Sequence, residues 1–171
     1  MKLLPSLALA ALATLPFGAP AHAAQEDIDL LKSYVGEWRG RGTAQFSDSR
    51  QDETVVCRMT IKDSEPTKVT FDGRCTIAGR TLAIAGTVAY VEAAGRYEAI
   101  MSSVASFQGV AIGQRRGSDI AFDLIDRNPE RGEHRIDADL SLQGDVFHLD
   151  FKIANVNTGW STVAQIPLAV Q

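Results

Sequence analysis

From Gly36 to Ile166, apolar side chains recur at every second residue between turn signals. A two-residue period puts successive side chains on opposite faces of an extended chain, so this stretch reads as strands that bury one face and wet the other. Trp38, Gly40, Gly42, Ala44 and Phe46 share one face of a first strand, and Glu37, Arg39, Arg41, Thr43 and Gln45 share the other. Val55, Cys57, Met59 and Ile61 follow, then Val69, Phe71, Gly73, Cys75 and Ile77. Leu82, Ile84, Gly86, Val88 and Tyr90 continue the series, then Tyr97, Ala99 and Met101, and a short segment from Val110 to Arg115. Ile120, Phe122 and Leu124 lead to Ile136, Ala138, Leu140 and Leu142. Phe147, Leu149, Phe151 and Ile153 precede a last strand with Trp160, Thr162, Ala164 and Ile166.

Turn signals fall at Asp63 to Pro66, Ala93 to Gly95, Arg116 to Asp119, Asn128 to Gly132, Gln143 to Asp145 and Asn155 to Gly159. Each supplies Gly, Pro, Asn or Asp where the backbone reverses. Short connections join antiparallel neighbours, and a long sheet hides its edges best by closing. The predicted fold class is all-β, an antiparallel up-and-down β-barrel of about 8–10 strands with a short N-terminal helix. That helix is expected within Glu26 to Val35, one or two turns long. It carries Ile28, Leu31 and Val35 at helical spacing, with acids early and Lys32 late to suit the helix dipole. Gln25 or Asp27 stands where it could cap that helix.

Ahead of the strands, Lys2 gives a positive start, Leu3 to Leu15 is mostly apolar, and Ala21-His22-Ala23 is a small-x-small cleavage pattern. Residues 1–23 therefore read as a secretory signal peptide and 24–171 as a single barrel domain. Cleavage near Ala23 implies a periplasmic or secreted protein. No second apolar run is long enough to span a bilayer, so no transmembrane segment is expected in the mature chain. The formal net charge of −4, about −5 without Lys2, and the lack of a Lys/Arg run argue against a nucleic-acid partner. Arg115-Arg116 is read as a solvated strand end.

Export makes the two cysteines a structural pair, since disulfides persist outside the cytosol. Placing Cys57 opposite Cys75 also pairs Met59 with Gly73, Ile61 with Phe71 and Val55 with Ile77. A five-residue hairpin loop from Ser64 to Lys68, centred on Pro66, remains. No Cys-x-x-Cys and no histidine at zinc-site spacing competes with that reading.

Gly36-Glu37-Trp38, after a short helix and at the start of the first strand, resembles the Gly-x-Trp opening of lipocalins and related calycin-type barrels. The run Val35 to Gly42 is also similar to the opening of nitrobindin-like, haem-binding barrels. The resemblance implies an eight- to ten-stranded barrel whose interior holds an apolar ligand, with Trp38 plugging the closed end. Lipocalins stack a late arginine over that tryptophan, but no arginine follows Arg135 here, and Lys152 lacks the planar fork. Nitrobindin-like proteins ligate haem through a histidine near the C-terminus. His148 points to the polar face here, and His134 sits at the mouth of its strand.

The sequence lacks Gly-x-Ser-x-Gly, His-Glu-x-x-His and Gly-x-x-x-x-Gly-Lys. Asp126 to Glu130 does not keep the register of a calcium loop and reads as a turn. Asp137 and Asp139 face outward, and Ser102, Ser103 and Ser106 have no partner in sequence, so no catalytic residue is assigned. No cofactor and no metal is expected. The leading reading is an exported lipocalin-like barrel that binds a small apolar ligand through Trp38, Phe71, Tyr90, Tyr97, Met101, Phe122, Leu140, Phe147, Leu149 and Phe151. A second is a protein-binding barrel, such as a periplasmic protease inhibitor using Ala24 to Asp29, or an envelope assembly partner. A haem-binding barrel or a calycin-type enzyme is the minor alternative.

Overall fold

The computed structural model describes residues 19–102, 109–128 and 132–171. The Leu3 to Leu15 run, Ser103, Ser106 and the Pro129-Glu130 part of one turn lie outside them. Helix α1 (Ala19–Ser33) leads into ten strands: β1 (Gly36–Phe46), β2 (Glu53–Glu65), β3 (Lys68–Ile77), β4 (Arg80–Val91), β5 (Arg96–Met101), β6 (Ala111–Arg116), β7 (Asp119–Asn128), β8 (Gly132–Gln143), β9 (Val146–Asn155) and β10 (Ser161–Val170). Each strand pairs antiparallel with the next, and β10 returns to β1 to close the barrel. Apolar faces point inward as the alternation requires. Trp38, Ala44, Val55, Cys57, Val88, Phe122, Phe147 and Ile166 all belong to one buried cluster.

The disulfide register is as read: Val55 faces Ile77, Cys57 faces Cys75, Met59 faces Gly73 and Ile61 faces Phe71. Cys57 and Cys75 are bonded, with Cα atoms 4.1 Å apart. The hairpin is tighter than expected, because the ladder runs on to Glu65 and Lys68 and leaves Pro66-Thr67 as the connection. A bulge between Asp63 and Glu65 absorbs the odd residue. A further tight turn, Ala78-Gly79, separates β3 from β4 with φ of 48° and 74°. Only one of its two residues is a turn former, so no cluster marked it in the sequence. Trp160 precedes β10 instead of opening it.

Helix α1 starts earlier than expected. Ala19, Ala21, Ala23 and Ala24 have the highest helix propensity and extend it to 15 residues. Gln25 and Asp27 therefore lie inside the helix and cap nothing; the Gln25 amide bonds the Asp29 carboxylate at 2.8 Å. Leu31 is buried, and Ala24 and Ile28 pack against the core. Val35 lies past the helix end and is 40% exposed, and Tyr34 takes the inward place. Connections after even-numbered strands share one end of the barrel with α1. There the Lys32 ammonium bonds the Asp63 carboxylate and the carbonyls of Glu65 and Lys68. That end is closed; connections after odd-numbered strands surround the other.

Candidate binding cavity

An aromatic layer forms the closed end. Trp38 donates its indole N–H to the Tyr34 carbonyl at 2.9 Å. Phe147 lies against both rings, with centroids 5.1 Å from Tyr34 and 5.5 Å from Trp38. Tyr90 meets Tyr97 edge-on at 5.2 Å. The hydroxyls that enter this layer are satisfied: Tyr34 donates to the Leu140 carbonyl at 3.0 Å and Tyr97 to the Asp27 carbonyl at 2.9 Å. Burial holds both phenols far above their ordinary range, reinforced by Asp119 beside Tyr34 and by Asp27 beside Tyr97. Tyr90 is raised by burial and then by Asp27. The floor is therefore neutral at physiological pH and costs no unpaired charge.

Above it lies an interior cavity of about 400 Å³, lined from α1 and from all ten strands. Small residues make the room. Ala44, Ala99, Ala111 and Ala138 face inward. Phe71 lies across Gly86 and Phe122 across Gly113, so close that a Cβ on either glycine would meet the ring at 2.5 Å. Flattened against the wall, these rings line the space and leave it open. The lining is apolar except for Thr162 and Tyr34, and Thr162 donates its hydroxyl to the Gln45 carbonyl at 3.1 Å.

Seven of the sequence-named residues meet around this cavity: Phe71, Met101, Phe122, Leu140, Phe147, Leu149 and Phe151. Trp38, Tyr90 and Tyr97 lie below it in the aromatic layer. Alternation assigns a face and is blind to height along the barrel axis. Turn parity carries the missing signal, because Tyr90 and Tyr97 flank the β4–β5 connection, on the same side as the helix. Leu31 of α1 and Tyr34 just past its end, and Phe46, Ile77, Leu124 and Ile153 in the upper half, also line the cavity.

At the open end Phe46 packs on Trp160 with centroids 6.2 Å apart. Asp126, His134 and Asn155 stand in register across β7, β8 and β9. His134 Nδ1 donates to the Gly132 carbonyl at 3.1 Å, a tautomer assigned from its partners, and Nε2 accepts from the Asn155 amide at 3.2 Å. Asn155 Oδ1 also accepts the N–H groups of Asn157 and Thr158. His148 stands on the outer wall between Ser141 and Pro167. Both ring nitrogens of His134 are engaged, and no histidine is among the described lining residues, so they do not fit haem held through histidine. Ala24 to Asp29 is part of α1, packed on the barrel end.

No family model and no curated protein matches the chain in sequence. Among solved structures it is similar to Rv2717c from M. tuberculosis, at 16% identity and a TM-score of 0.66 over 85% of this chain and 97% of that one. It is also similar to the S-type phycobiliprotein lyase CPES from Guillardia theta, at 9% identity and a TM-score of 0.64 over 90% and 97%. At such identities the likeness is one of fold alone. What this chain shares with them is the barrel fold.

Proposed function

We propose that this protein is an exported barrel that holds one small apolar molecule in its interior. The observation that carries this reading is the cavity of about 400 Å³ with an almost wholly apolar lining. Its volume falls in the usual range for small-molecule sites, roughly 300–1,000 Å³. An apolar cavity offers water too few partners, and an apolar guest gains the contacts the walls lack. The Leu3 to Leu15 run, the Ala21-His22-Ala23 pattern and the Cys57–Cys75 bond support export. No helix among the described residues is long and apolar enough to cross a membrane. Cleavage after Ala23 would leave Glu26 and Asp27 in the first turn, where the helix dipole favours acids, and would keep every helix-to-barrel contact named above.

Titration with the apolar fluorophore N-phenyl-1-naphthylamine tests the reading. Saturable, one-to-one enhancement is expected in the wild type. In Ala138→Phe, which fills the cavity, binding should weaken at least tenfold while the strand-type circular dichroism is kept. Equal affinity in both proteins would remove the cavity as the site. N-terminal sequencing of the exported protein should begin at Ala24.

A further inference from the structure

The outer wall carries a feature that the interior cavity does not use. Arg39, Arg58 and Arg74 stand directly opposite one another on β1, β2 and β3. All three are exposed, and none is held by an ion pair or a side-chain hydrogen bond. Like charges in register across a sheet are destabilising. By contrast, Arg115 is paired with Glu26 and Asp27, and Arg135 with Asp123 and Asp137. The three-arginine row therefore costs stability, and no direct ion pair offsets it.

The row also lines a groove of about 470 Å³ in the wall. Glu37, Thr60 and Asp72 form the next row toward the closed end. Gln171 borders the groove, its N–H bonded to the Glu37 carbonyl at 2.9 Å. We propose that this groove binds an oxyanion of the phosphate class that carries at least two charges. Guanidinium forks match phosphate oxygens two at a time. Neighbouring strands lie about 4.8 Å apart, so the outer arginines stand roughly 10 Å apart, a span that two linked phosphates or one phosphate ester can bridge. Glu37 and Asp72 leave the five charged groups with a small positive balance. A lone carboxylate gains little from that balance, whereas a multiply charged anion engages several forks. The adjacent carboxylates and Thr60 can take the hydroxyl groups of an ester.

The phosphate could be free or a lipid headgroup, and two arms separate these sources. Calorimetric titration of the mature protein with inorganic pyrophosphate, at fixed ionic strength, tests the first. Co-sedimentation with phosphatidylcholine vesicles, with and without phosphatidic acid, tests the second. Saturable binding is expected in at least one arm, weakened tenfold or more in Arg58→Gln and unchanged in the control Arg80→Gln. Without ligand, Arg58→Gln should melt higher than the wild type, because it removes the central like charge. No binding in either arm, or equal losses in Arg58→Gln and Arg80→Gln, would overturn the proposal. The apolar-probe titration is independent of both arms, so this site and the cavity stand or fall separately.

Discussion

The tightest constraint at a single position is at Gly42. A Cβ there would lie 2.0 Å from the Gln165 carbonyl oxygen and 2.7 Å from Ile166 Cα, both backbone atoms of β10. Neither can yield without parting the β1–β10 seam that closes the barrel. Gly42→Ala is therefore expected to lose its cooperative thermal transition. Gly144→Ala, at a turn glycine with φ of 59° and open space around it, should cost only about 1–2 kcal/mol of backbone strain. Melting curves for the two variants check this contrast. The sequence marks Gly42 as an inward position in a strand, but the partner that demands it lies more than a hundred residues away. The cysteines differ because their pairing is local: one hairpin fixes both the disulfide and its register.

At the level of elements, α1 is a plug held by side chains whose roles no period reveals. Ile28 and Leu31 could be read from helical spacing, but the same spacing offers both Tyr34 and Val35 as the next inward residue. Tyr34 wins because its ring packs on Phe147 while its hydroxyl reaches the Leu140 carbonyl. The chain leaves the helix at Ser33, so Val35 turns outward. This plug sets an alkaline limit. Tyr34 and Tyr97 have phenols raised well above the ordinary 10.0, first by burial. The unfolded chain thus releases these protons at lower pH than the native one. Stability should be fully present below about pH 10 and fall as pH rises beyond it, by up to about 1.4 kcal/mol per pH unit for each tyrosine. Urea titrations from about pH 8 to about pH 11 would measure the slope, and Tyr97→Phe should make it shallower. The same variant should lower the neutral plateau by about 1 kcal/mol through the lost hydrogen bond to Asp27.

For the whole molecule, strand number decides whether the interior is filled. Eight strands leave room for little beyond side chains, and ten widen the barrel. With Ala44, Ala99 and Ala138 facing inward and Phe71 and Phe122 flattened over glycines, the walls cannot meet across the middle. The sheet and its inner face were legible because each follows from a period. The layering was not, because it depends on which turn lies at which end. Stability is accordingly spread around a closed ladder, and the disulfide adds to a barrel that closes without it. Cys57 and Cys75 are 18 residues apart and bridge two strands already paired along most of their length. In the chain-entropy model such a loop contributes about 3 kcal/mol, mainly by restricting the unfolded chain. Replacing both cysteines by alanine should therefore lower the midpoint by roughly 10 °C and still give a cooperative, strand-rich fold. Reductant should produce a similar drop in the wild type and none in the double variant. A double variant that fails to fold would mean that closure depends on the cross-link, and that the ladder around it supplies far less than its continuity implies.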